Sequence, residues 1–180
     1  MLLDGREIGQ HQYTLRTEGK EHELRSDANF DVRILFVSAY RYDHSAVERW
    51  KDGCLQSLDA RTVTNGEREA VSAAARGDRL VVEGPSGRGE HAGCVKSFAY
   101  WDPQILRARR LLNSQTGELL PVTVTPQGAE TVEVRGERLA ADRHRITGPS
   151  LRIDVWYANG QWVGLEAATE GGRRLRYELL

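Results

Sequence analysis

The sequence predicts an all-β, β-dominated fold: a strongly curled antiparallel sheet, barrel or half-barrel, with one short helix near residues 103–112. Three observations carry this. β-branched and aromatic residues recur in runs too rich in such side chains for a helix, most plainly Val32, Ile34, Leu35, Phe36, Val37, Tyr40 and Tyr42. Two-residue turn signals separate the runs, above all Asn65-Gly66 and Asn159-Gly160. A helix start is readable at one place, where Asp102 suits the N-cap and Pro103 the first helical position.

The elements follow in order. Gln12 to Thr17 alternates, with Tyr13 and Leu15 on one side. Gly19-Lys20 suits a turn with glycine first, and the return strand starts near Glu21. Phe30 to Tyr42 reads as one long extended stretch, and Ala46 to Trp50 continues the meander. Cys54 to Val63 is a strand. Its partner after Asn65-Gly66, Glu69 to Ala75, is alanine-rich, yet turn signals on both sides argue for a strand. Leu80 to Val82 is a strand and residues 84–89 are a loop. From Asp102, Ile105, Ala108 and Leu112 share one helical face, and Arg107, Arg109 and Arg110 suit the negative end of the dipole. Strands then resume: Leu119 to Thr125, Thr131 to Val134, Arg138 to Thr147, Leu151 to Tyr157, Gln161 to Ala168 and Arg173 to Leu180. A turn at Asn159-Gly160 sets Tyr157 opposite Trp162 and Trp156 opposite Val163, so both faces of that hairpin carry an aromatic.

A chain of 180 residues reads as a single β-rich domain, 1–180. Its 25 basic and 26 acidic residues give a net charge of −1, which carries no footprint for nucleic acid. No transmembrane segment is expected, because no run of 18 apolar residues occurs. Met1-Leu2-Leu3-Asp4-Gly5 opens in strand-and-turn style, as a mature chain with its leader removed would; a cytoplasmic chain is the other reading. Cys54 and Cys94 form either one disulfide or two buried thiols. His11, His22, His44, His91 and His144 have no metal-ligand spacing, and no metal or cofactor is expected. Gly84, Gly87 and Gly89 lack the Gly-Lys-Ser/Thr of a phosphate loop.

The densest segment is Gly93-Cys94-Val95-Lys96-Ser97-Phe98-Ala99-Tyr100-Trp101-Asp102-Pro103. Its aromatics, together with Trp156, Tyr157 and Trp162, are either core or the wall of an apolar pocket, for which the small residues Ala70 to Ala75 would leave room. Cys94, His91 and Asp102 have the residue types of a nucleophile, base and orienter. In a strand, however, His91 and Cys94 point to opposite faces, and Asp102 serves as N-cap.

That segment, with Leu111-Leu112-Asn113, Gln115-Thr116-Gly117-Glu118, the opening Leu3-Asp4-Gly5 through Ile8-Gly9, and Ile153-Asp154-Val155-Trp156-Tyr157, resembles an uncharacterised bacterial family of small exported proteins. The resemblance implies a distant likeness to periplasmic curved-sheet carriers of lipids or lipoproteins, and a periplasmic or exported location. It supplies no catalytic residues.

The expected function is therefore a non-catalytic cell-envelope protein that holds a hydrophobic ligand, a lipid or acyl chain, against Phe36, Phe98, Tyr100, Trp101, Trp156 and Trp162. Arg107 or Arg110 would meet a polar headgroup. The alternatives are an enzyme on the same scaffold using Cys94, His91, Asp102 or Tyr100, and a structural protein that meets a partner through a sheet edge or aromatic patch.

Overall fold

The structure, a computed structural model, describes residues 1–34, 37–169 and 171–179. It is all-β. In chain order the strands are β1 (Leu2–Leu3), β2 (Arg6–Glu7), β3 (Gly9–Glu18), β4 (Glu21–Ile34), β5 (Val37–Lys51), β6 (Cys54–Thr64), β7 (Glu67–Arg76), β8 (Arg79–Gly84), β9 (Gly87–Ala92), β10 (Arg110–Leu112), β11 (Leu119–Pro121), β12 (Thr123–Val134), β13 (Glu137–Thr147), β14 (Arg152–Ala158), β15 (Gln161–Ala168) and β16 (Arg174–Tyr177). All strand pairs within the two large sheets are antiparallel. The chain divides into two compact units: residues 8–98 with 112–119, and residues 1–7, 99–111 and 120–180.

The first unit holds a seven-stranded meander, β3 through β9 in sequence order. Its turns are the ones that two-residue hairpin chemistry demands. Asn65 and Gly66 both have positive φ (52° and 94°), the type I′ pattern that matches strand twist. Phe30 to Tyr42 does not form one stretch: β4 ends at Ile34 and β5 begins at Val37, so this apolar run is two strands and their connection. Residues 84–89 are no loop either, since β8 reaches Gly84 and β9 starts at Gly87. The alanine-rich β7 is a strand because its inward residues, Val71 and Ala73, lie opposite Ala60 and Leu58 on β6, and Ala73 lies opposite Val82 on β8. Burial across three strands overrides the helical preference of isolated alanines. Gly9 opens β3 at φ 152°, where a Cβ would stand 2.1 Å from the Asn29 carbonyl oxygen.

The second unit holds another seven-stranded sheet, in the order β12-β13-β14-β15-β16-β1-β2. Its core face joins Ile146, Val155 and Leu165, all buried, through direct cross-strand pairs with Ile153, His144 and Tyr177. Neither large sheet is closed, since its two outer strands do not pair among the described residues. β10 and β11 form a separate two-stranded ladder.

The expected helix over 103–112 is a single 3-10 turn, Pro103–Arg107. Asp102 caps it as predicted, its carboxylate accepting from the Gln104 N–H. The Ala108 N–H already bonds the Ile105 carbonyl, and Ala108 has left the helical region at ψ 144°. Leu111 and Leu112 then become fully buried in β10, and the Leu112 N–H bonds the Lys96 carbonyl. Burying two leucines at about 1.5–3 kcal/mol each outweighs about one and a half further helical turns.

Candidate functional site

Within the second unit the aromatics predicted to hold a ligand divide between the two faces of the sheet. In the second unit Tyr100 and Trp162 meet with ring centroids 5.7 Å apart, and Trp162 leans on Tyr177 at 6.4 Å. The Tyr157 hydroxyl donates to the Tyr100 carbonyl at 2.7 Å, and Tyr157 stands opposite Trp162 as the turn register requires. This is one aromatic cluster on the core face. Burial raises the Tyr100 and Tyr157 phenols and takes Tyr177 to about 12, so all three stay protonated at neutral pH. Trp101 and Phe98 are half-buried, each in its own unit. Arg107 and Arg110 are exposed. Phe36 lies outside the described residues.

Trp156 faces the other way from Trp162. A bulge at Trp156/Tyr157 shifts the ladder, so Trp156 pairs with Gly164 rather than with the expected Val163. Its indole N–H donates to Glu130, and the Arg143 guanidinium sits 5.3 Å from the ring centroid. Arg143 and Arg145 both grip the buried Asp154, at 2.6 and 2.7 Å. Burial pushes the Asp154 carboxyl up, but the two guanidiniums outweigh it and hold it below the ordinary carboxylate range. Direct cross-strand pairing extends the row from Arg145 and Asp154 to Glu166 and Arg176. Beside Trp156 this face carries an open groove of about 510 Å³.

The cysteines are joined: Cys54 and Cys94 form a disulfide closing a separation of 40 residues. A nucleophilic Cys94 therefore has no thiolate in this state. The bond lies among further ties, with the Leu55 N–H on the Val95 carbonyl at 2.9 Å and the Lys96 ammonium on the Gly53 carbonyl at 2.7 Å.

The sequence reading passed over the inner face of the β3–β9 sheet. Register places His11, Ala28, His44 and Thr62 in one row, Tyr13, Ser26, Ala46 and Ala60 in the next, and Leu15, Leu24, Glu48 and Leu58 in a third. Along this face Tyr13 and His11 stack at 4.0 Å, and Phe30 stacks on Tyr42 at 4.5 Å and on Tyr40 at 6.1 Å. Hydrogen bonds link Tyr13 Oη to His11 Nδ1 (3.0 Å), His11 Nε2 to Ser26 Oγ (2.7 Å) and His44 Nδ1 to Thr62 Oγ1 (2.9 Å). Burial lowers both imidazoles, His11 to about 4 with help from His44, so both are neutral at pH 7. Among the described residues the large apolar side chains that stay exposed are Leu15 at 43%, in the Glu48 row, and Tyr40 at 36%, at the opposite end of this face.

Among the described residues Glu48 is the one buried carboxylate on this face. The Trp50 indole N–H donates to it at 3.0 Å. The Ser97 hydroxyl lies close enough to favour the charged form, although its oxygen makes no well-formed hydrogen bond. Burial dominates and pushes the carboxyl up to about 7.

Among the described residues no cluster of three or more His, Cys, Asp or Glu side chains is placed to hold a metal ion, and no helix is long and apolar enough to cross a membrane. Comparison with protein families gives a match over residues 1–180. The chain belongs to the DUF6134 family, a domain of unknown function. No curated protein and no solved structure matches it. For a DUF6134 chain the chemistry must therefore be read from its own faces: a polar-aromatic strip on the β3–β9 sheet and a charged groove around Trp156.

Proposed function

We propose that this DUF6134 protein is a non-catalytic cell-envelope protein that binds a hydrophobic ligand, a lipid or acyl chain, in the hollow of its β3–β9 sheet. The observation that carries the reading is the strip formed by Phe30, Tyr40, Tyr42 and His44, where ring faces stack and Tyr40 stays exposed. From Tyr40 to His44 the strip runs about 13 Å at about 3.3 Å per residue, the span of a medium acyl chain. The cysteine pairing supports an exported, periplasmic setting, since disulfides persist in oxidising compartments. The pocket residues shift in this reading from Tyr100 and Trp162, which pack on each other, to the β3–β5 strip. If about 300 Å² of ligand surface is buried at about 25 cal/mol/Å², the gross gain is about 7.5 kcal/mol, so micromolar affinity is the ceiling once association costs are subtracted.

The test is a titration with dansyl-undecanoic acid, followed by displacement with dodecanol. Micromolar binding that weakens at least tenfold in Phe30→Asp and Tyr40→Asp is the expected outcome. Absence of binding, or equal binding by the wild type and both variants, removes the proposal.

A further inference from the structure

We propose that the groove around Trp156 is a second binding site, for a neutral oligosaccharide. The argument starts from the indole. Its N–H is tied to Glu130 on β12, which fixes the ring plane. On one side Arg143 stands over the ring at 5.3 Å, itself anchored to Asp154 at 2.6 Å. On the other side the cross-strand neighbour is Gly164, the residue with no side chain to cover the ring. A Cβ built at Gly164 would lie 3.7 Å from the Trp156 six-membered ring, so this glycine is what leaves that side open. The result is an immobilised aromatic platform in a groove of about 510 Å³, about the size that encloses a small ligand.

The walls select the ligand class. Four glutamates and three arginines line the groove, so it has no strong preference for either sign of charge. Arg174 lies 3.6 Å from Glu166, and Arg143 lies 3.8 Å from Glu130. Such pairs present donors and acceptors side by side at fixed spacing. That suits vicinal hydroxyls, each of which gives and takes a hydrogen bond. An apolar ring face above and paired hydroxyls at the edge are the two surfaces of a pyranose. An acyl chain would strip water from these charged groups and return no hydrogen bond, a costly outcome. The site is therefore distinct in chemistry from the strip on the β3–β9 sheet, and it does not depend on that reading.

The test uses the full chain against a panel of neutral pentasaccharides, including cellopentaose and chitopentaose, with pentagalacturonic acid as the acidic comparison. Saturation-transfer NMR and indole fluorescence report binding. The expected result is that at least one neutral pentasaccharide binds, and that both Trp156→Leu and Gly164→Val weaken it at least tenfold. Gly164→Val keeps the indole and covers its open side, and an unchanged circular dichroism spectrum and melting temperature show that it folds. No neutral binder at millimolar concentration, a preference for the acidic sugar, or binding that survives Gly164→Val in the folded protein each overturns the proposal.

Discussion

Replacing Glu48 by glutamine removes a pH dependence of stability that this structure dictates. Glu48 is completely buried on β5, and burial moves its carboxyl from 4.5 to about 7. The folded chain thus holds this proton more tightly than the unfolded chain between those two values. Its contribution to stability is fully present below about pH 4.5 and is lost as pH rises through about 7. Each tenfold change in proton affinity is worth about 1.4 kcal/mol, so the whole displacement corresponds to about 3 kcal/mol. His11 and His44 work in the opposite direction: their lowered values make the fold gain stability as pH rises from the acid side. They are common to the wild type and to Glu48→Gln, and so cancel in the difference between the two. Urea unfolding followed by tryptophan fluorescence at pH 4.5, 6, 7 and 8 measures that difference, with Trp50 in contact with the site. The glutamine variant gains about 3 kcal/mol on the wild type between the lowest and highest pH. A constant offset is immaterial, because glutamine changes the bond to Trp50 and the contact with Ser97 at every pH. A difference that stays flat across the range refutes the claim that the fold buries a neutral acid.

Three further perturbations test other parts of the structure. Replacing both cysteines by serine frees a separation of 40 residues, and loop-closure entropy sets the loss at up to about 4 kcal/mol, read as a drop in the urea midpoint. Gly9→Ala places a Cβ 2.1 Å from Asn29 O and 2.7 Å from the Phe30 Cα, which forces the first β3–β4 pair apart; a loss of about 3 kcal/mol or more is expected in the same assay. Arg135 has φ 53° in a turn position that Asp4, Asp52, Asn65 and Asn159 occupy elsewhere in the chain. Arg135→Asn relieves that strain and raises stability by about 0.5–1 kcal/mol, seen as a higher melting temperature.

Turn chemistry made most of the fold legible. Asn65-Gly66 and Asn159-Gly160 set their hairpins, and Gly19-Lys20 turns the chain so that His22 stands opposite Thr17. Reading failed where local signals were honest but incomplete. Asp102-Pro103 does start a helical turn, yet nothing local says that Leu111 and Leu112 are worth more in a strand than on a helix. The run from Phe30 to Tyr42 has no Gly, Pro or Asn-Gly at its middle, so its break was invisible. The shift of Trp156 from Val163 to Gly164 comes from a bulge, which two-residue alternation cannot anticipate.

The site was harder because aromatic content is not position. Tyr100 and Trp162 were grouped with Trp156 as one ligand wall even though the hairpin register already sets Trp156 on the opposite face, where the structure has it. Parity also held the signal that was missed. Tyr42, His44, Ala46, Glu48 and Trp50 alternate as the inward set of β5, and a glutamate in an inward position between alanine and tryptophan is a conflict between pattern and residue. Sequences resolve such conflicts only where the surroundings stabilise them, here through an indole N–H and a neutral acid. The same parity carries His11 and His44 onto the inner face, where their hydrogen bonds to Ser26 and Thr62 keep polar groups satisfied beside stacked tyrosines. A face built only to close a core has no need of two imidazoles and a carboxylic acid; aliphatic side chains would fill it with no desolvation cost. Their presence in one sheet, next to the exposed Leu15 and Tyr40, is why the β3–β9 face rather than the tyrosine cluster bears the functional reading.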